Sequence, residues 1–80
     1  MSRRYDSDDM QRAINALDSA ITEVSSAISK LDGISLGSLT GNTRNAMQEQ
    51  LGKQRELLET QLKTLQQSRS TIQSKWNALQ

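Results

Sequence analysis

The chain has 80 residues, which leaves room for one small domain, and it contains neither cysteine nor histidine. It therefore has no disulfide, no thiolate nucleophile and no imidazole to shuttle protons, so we predict no catalytic residue, no cofactor and no metal site. The sequence contains no run of about 18 apolar residues, the length needed to span a bilayer, which argues against stable membrane insertion. The start, MSRRYDSDD, has no apolar segment after its arginines. We expect a cytoplasmic protein, or one that is secreted without a cleaved signal peptide.

The charges are divided unevenly between the two halves of the chain. Residues 6–32 carry six acids and two bases, a net charge of −4, whereas residues 42–80 carry six bases and three acids, a net charge of +3. Two oppositely charged helices attract each other when they lie side by side. The division therefore favours a hairpin over a nucleic-acid binder, which would be expected to carry a net basic surface.

The first predicted helix, residues 7–31, contains three consecutive copies of one heptad phrase. Its apolar residues are spaced alternately by four and three positions, as in the seam of a coiled coil. They are Met10, Ile14, Leu17, Ile21, Val24, Ile28 and Leu31. A column of alanines, Ala13, Ala20 and Ala27, lies beside the isoleucines and lets a neighbouring helix approach closely. Acids before the helix and Gly33 after it are the expected start and stop signals.

A connector over residues 32–42 holds three of the four glycines and precedes a second predicted helix, residues 43–79. Its apolar residues Ile34, Leu36 and Leu39 are expected to fold back and close the end of the hairpin. Gly52 is the only glycine in the second predicted helix, which contains no proline. The predicted seam consists of Met47, Leu51, Gln54, Leu58, Leu62, Leu65, Arg69, Ile72, Trp76 and Leu79. It includes a stutter between Gln54 and Leu62.

The two predicted helices differ in length, about 36 Å against about 57 Å at 1.5 Å per residue. If the chain reverses tightly at the connector, the residues beyond about 66 extend past the end of the first helix. Ile72, Trp76 and Leu79 would then lack a partner within the chain, so we predict that they bind a second polypeptide. A frayed tail is the alternative. The predicted fold is an all-α antiparallel helical hairpin, a single domain over residues 1–80 that assembles into a four-helix bundle.

The chain resembles the small W-x-G helical-hairpin proteins of type VII secretion, including the small helical partners of LXG toxins. Leu31-Asp32-Gly33 stands where that family has Trp-x-Gly. Near the C-terminus, Trp76 stands where the family often has the Tyr of a Tyr-x-x-x-(Asp or Glu) export signal, but Gln80 replaces the acid. Tyr5 and Asp9 match the spacing of that signal at the opposite end of the chain. The resemblance implies a helical partner that completes a composite export signal.

The sequence thus predicts a non-enzymatic interaction module, with a type VII secretion substrate, targeting partner or chaperone as its leading role. Its partner would be another helical protein, either a second copy of the chain or a helical domain such as that of an LXG toxin. One alternative is a cytoplasmic chaperone or regulator of another secretion or phage system. A structural self-assembling coiled coil is the other.

Overall fold

A computed structural model describes residues 7–79 and confirms an all-helical hairpin. Helix α1 runs from Ser7 to Asp32 and helix α2 from Gly41 to Leu79, and no strand occurs in this part of the chain. The hairpin is a rod whose principal extents are 68 × 15 × 15 Å. Tyr5, whose spacing to Asp9 matches an export signal, lies outside the described residues.

Both ends of α1 have the polar features that stabilise helix termini. Asp8 and Asp9 lie in the first turn and Lys30 in the last, so their charges oppose the helix dipole. Beyond the last turn, the backbone N–H of Gly33 donates to the carbonyl of Ser29 at 3.0 Å, satisfying one of the terminal carbonyls. The helix therefore ends where the glycine-containing connector begins.

Helix α2 begins at Gly41, which has a φ of +61°, the only positive φ among the described residues. This conformation is open to glycine at little cost, whereas a side chain makes it unfavourable. Gly52, in contrast, lies inside the helix, and a Cβ added there would meet no atom within 4 Å. The two glycines of α2 therefore differ in what they contribute to the fold.

We expect Gly52→Ala to raise the free energy of unfolding by about 0.5–1 kcal/mol, because alanine restricts the unfolded chain and suits a helix interior. Gly41→Ala is the matched opposite and should lower it by about 1 kcal/mol, because alanine is strained at positive φ. Thermal denaturation followed by circular dichroism measures both. Equal shifts of the same sign would contradict this assignment of the two glycines.

Two ion pairs between the helices fix their alignment. Asp32 of α1 pairs with Arg55 of α2, and Asp18 pairs with Arg69. The two acids are two heptads apart on α1, and the two arginines are two heptads apart on α2 in the reverse direction. The helices are therefore antiparallel, and each residue of α1 between these pairs has a counterpart at the same level on α2.

This alignment corrects the expected position of the overhang. Since Asp18 lies beside Arg69, the C-terminal turns of α2 continue alongside the N-terminal turns of α1, and Ile72 and Trp76 are half-buried. The segment of α2 that extends beyond α1 is its opposite end, residues 41–54, of which 41–50 are all exposed. Ile72, Trp76 and Leu79 were predicted to lack a partner because they extend beyond the end of α1. That premise is wrong, since this part of α2 lies alongside α1.

The connector explains why the overhang lies at its own end of the hairpin. Gly41 precedes Arg55 by four helical turns, about 21 Å at 1.5 Å per residue, while Asp32 lies beside Arg55. Residues 33–40 consequently run along the axis of α2 instead of reversing tightly. Leu36 and Leu39 are half-buried in this segment, but Ile34 is 47% exposed, contrary to the expectation that all three close the hairpin.

Candidate interaction surface

The seam between the helices is incompletely covered by the hairpin itself. Among residues 7–79 only Ile14 is buried, with 2% of its surface exposed. The other predicted seam residues of α1 and most of those of α2 are half-buried: Met10, Leu17, Ile21, Val24, Ile28, Leu31, Leu51, Leu58, Leu62, Leu65, Arg69, Ile72 and Trp76. Two helices cover each other along one line only, so the edges of the seam remain open to solvent.

The seam of α2 differs from the predicted one at its N-terminal end. Gln54 is exposed and Met47 is 42% exposed, whereas Arg55 takes the position next to the seam through its pair with Asp32. With Arg55 in place of Gln54, the spacing alternates between four and three from Leu51 to Leu79. The predicted stutter is therefore absent, and the seam follows one uninterrupted heptad pattern.

One edge of the seam is charged, and we call it the charged flank, consisting of Asp18, Asp32, Arg55, Glu59 and Arg69. Arg55 makes a two-point contact with Asp32: its Nε donates to Oδ1 at 2.8 Å and its Nη2 to Oδ2 at 3.2 Å. Arg55 also pairs with Glu59, one turn further along α2. Arg69 holds Asp18 in the same two-point manner, with Nη2 3.3 Å from Oδ2. Such paired contacts match the planar guanidinium to the carboxylate and fix direction as well as distance.

These contacts shift the ionisation of the paired groups. The hydrogen bond from Arg55 lowers the pKa of Asp32, against a smaller opposing effect of desolvation. The same pair raises the pKa of Arg55, and the hydrogen bond to Asp18 raises that of Arg69. Both pairs are partly exposed, with 36% to 50% of each of the four side chains accessible. The pairs therefore define the alignment of the helices more than they contribute to stability.

Because folding lowers the pKa of Asp32, its pairing stabilises the hairpin at neutral pH, and this contribution is lost as the pH falls below about 4, the ordinary range of an aspartate. We expect Asp32→Asn to lose less stability than the wild type between pH 7 and pH 3. Glu23→Gln, which removes an exposed carboxylate elsewhere on α1, is the control. Urea denaturation at the two pH values tests this. An unchanged pH dependence in Asp32→Asn would contradict it.

The other edge of the seam, which we call the uncharged flank, has a different composition. On α1 it carries the alanine column, which lies at the seam edge opposite Asp18 and Asp32. On α2 it carries the residues between Gln54 and Thr71 that lie next to the seam on that side, and none of these is charged. Lys75, the next residue of the row that contains Gln54, Gln61 and Ser68, lies beyond the end of this stretch. The members of the uncharged flank are Ala13, Ala20, Ala27, Gln54, Leu57, Gln61, Thr64, Ser68 and Thr71. The alanines are half-buried, while Leu57 is 59% exposed.

The surface of α2 forms shallow depressions along this flank. One is lined by Thr60, Gln61, Thr64 and Leu65, and the next along the helix by Thr64, Gln67, Ser68, Thr71 and Ile72. They are open grooves on a helix surface and not enclosed cavities. The two depressions share Thr64 and follow each other along α2, as in the surface into which side chains of a neighbouring helix can pack.

The tripeptide Leu31-Asp32-Gly33, on which the family resemblance rests, lies at the C-terminal end of α1. The predicted partner-binding residues of α2 lie beside the N-terminal end of α1. Leu31 is half-buried and Gly33 follows the last residue of α1. A Cβ at Gly33 would have ordinary contacts, 3.5 Å to the carbonyl oxygen of Ser29, and the φ of Gly33 is not positive. Of the partner-binding candidates, Ile72 and Trp76 line the open seam, whereas Leu79 is 56% exposed.

Within the described part of the chain, no three His, Cys, Asp or Glu side chains are grouped so that they could hold a metal ion. No helix there is both long and apolar enough to cross a membrane. Comparison with protein-family models, with curated proteins and with solved structures finds no match to this chain. Evidence on function therefore comes from the surface of the hairpin.

The sequence patterns did not reveal that Asp18, Asp32 and Arg55 help to align the two helices. Arg69 attracts notice as a polar residue in an apolar seam, but its partner is 51 positions away. The sequence does contain one indication of these pairs. Asp18 and Asp32 are two heptads apart, and so are Arg55 and Arg69. Such a match becomes informative only when the direction and alignment of the helices are known.

Proposed function

We propose that this chain is a non-enzymatic module that associates with other helices. The observation that carries this proposal is the open seam, since only one residue among 7–79 is buried. Apolar surface contributes about 25 cal/mol for each Å² removed from water, and half-buried seam residues leave much of that contribution unused. A further helix against the seam edge would bury it.

Within this class, we propose a partner, targeting factor or chaperone in type VII secretion, with the helical domain of an LXG toxin as the partner. The hairpin architecture and the position of Leu31-Asp32-Gly33 at the end of α1 support this choice. Two long antiparallel helices are also the unit from which four-helix bundles are built. The alternatives remain a chaperone or regulator of another secretion or phage system and a self-assembling coiled coil.

Coexpression tests the type VII role. The full chain is produced together with the helical domain of an LXG toxin encoded beside it, and the complex is isolated through a tag on the toxin domain. We expect a complex of defined stoichiometry in which both proteins melt at a higher temperature than alone, because binding stabilises the folded state. A neighbourhood without an LXG gene or an FtsK-type ATPase gene, or a toxin domain that does not bind, would refute this role.

Ala20→Glu provides the structural control for that experiment, because it places a charge in the middle of the uncharged flank. Ser19→Glu introduces the same charge on the adjacent exposed position of α1. We expect the first variant to lose the complex and the second to keep it. Equal binding by both would show that the toxin domain does not use this flank.

A further inference from the structure

We infer that the uncharged flank is the docking surface for a second copy of this chain, with the two α1 helices antiparallel to each other. This inference rests on the proposed role in helix association but not on the type VII role. It replaces the overhang as the basis for self-association, because the C-terminal turns of α2 already lie alongside α1.

The two edges of the seam differ in their capacity to accept a helix. On the charged flank, Arg55 and Arg69 cross the seam edge to reach Asp32 and Asp18, so a docking helix would have to displace or desolvate ion pairs. The uncharged flank presents no such groups. Its side chains are neutral, the alanines of α1 permit close approach, and the apolar edge of the seam lies directly behind them. The uncharged flank is therefore the edge at which docking costs least.

The size of this flank suits a dimer. Helix α1 has 26 residues and is about 39 Å long at 1.5 Å per residue. With a width of 15 Å, the face covers about 600 Å² in projection. Stable interfaces bury about 800 Å² of accessible surface on each partner, and the accessible surface of a ridged helical face exceeds its projection. One copy of the hairpin thus presents about as much surface as a stable dimer needs.

The charges that border the flank indicate a second copy and its direction. On α1 the row next to the alanines is Asp9, Ala16, Glu23 and Lys30, with an acid at one end and a base at the other. When two α1 helices lie antiparallel about Ala20, Asp9 of each copy lies opposite Lys30 of the other. A parallel arrangement would place each of these charges against its own kind. The two ends of the row are thus self-complementary in the antiparallel arrangement only, and Glu23 of each copy lies opposite Ala16 of the other.

Sedimentation equilibrium of the full chain tests the inference. The monomer has a mass of 8.9 kDa, and we expect about twice that mass at micromolar concentrations. Asp9→Lys should raise the dissociation constant about tenfold, because each dimer then contains two repulsive contacts. The double variant Asp9→Lys with Lys30→Asp should restore it to within about threefold of the wild type.

Asp8→Lys is the matched control, because it makes the same charge change in the same turn of α1 but on a row that does not border the flank. It should leave the dissociation constant within about twofold of the wild type. Circular dichroism verifies that each variant keeps its helix content. A wild type that stays monomeric at about 100 μM, or a double variant that associates no better than Asp9→Lys, would overturn the inference. A monomer that still binds the toxin domain would overturn it while leaving the proposed function intact.

Discussion

Ile14→Asp is expected to abolish most of the helical structure of this chain. Ile14 is 2% exposed and is the only buried residue among those the structure describes. A carboxylate at this position would lose its hydration without gaining a partner, at a cost of several kcal/mol. Small domains have only about 5–15 kcal/mol of stability in total, and a two-helix hairpin has little reserve. Far-UV circular dichroism should therefore show a largely unfolded chain at ambient temperature.

Asn15→Asp is the matched control for this prediction. Asn15 is exposed, and its side-chain oxygen accepts a hydrogen bond from Gln11 at 3.0 Å, which a carboxylate oxygen can also accept. This variant adds the same charge one position away and should change the melting temperature by only a few degrees. An Ile14→Asp variant that retains the helicity of the wild type would mean that α1 presents a different face to α2. Ile21→Asp, at a half-buried seam position, should have a smaller effect than Ile14→Asp.

The all-helical hairpin could be predicted from sequence because its determinants are local. The alternation of apolar residues from Met10 to Leu31 defines a helix and its inward face without reference to any other segment. Gly33, Gly37 and Gly41 mark the break between the helices. Helix α2 begins two residues before the predicted position 43, a difference that arises because several capping residues compete there.

The alignment of the two helices could not be predicted in the same way. Helix lengths show that one end must overhang, but the path of the connector decides which end does. Residues 33–40 run along α2, and nothing in their composition distinguishes this path from a tight reversal. The alignment also depends on the pairs of Asp18 with Arg69 and Asp32 with Arg55, which join residues distant in the sequence. The place of Trp76 in the hairpin follows from that alignment.

Trp76→Ala is accordingly expected to destabilise the isolated hairpin. Trp76 is half-buried and lies seven residues beyond Arg69, at a level along the hairpin between those of Met10 and Ile14. Truncation of a fully buried tryptophan costs about 3–5 kcal/mol, so a half-buried one should cost about 2 kcal/mol. For a domain of this size, that loss corresponds to a decrease in melting temperature of about 8–16 °C.

The measurement requires a concentration low enough for the chain to be monomeric, so that the loss is not attributed to a dimer. Leu79→Ala is the control, because Leu79 is 56% exposed and its truncation should change the melting temperature by only a few degrees. Tryptophan emission of the wild-type monomer should shift to longer wavelength on unfolding, since the folded indole is partly shielded from water. If Trp76→Ala melted like the wild-type monomer but failed to associate, Trp76 would act as an anchor between chains. A Trp76→Ala monomer that melts at a lower temperature than the wild-type monomer would show instead that Trp76 packs in the seam of its own hairpin.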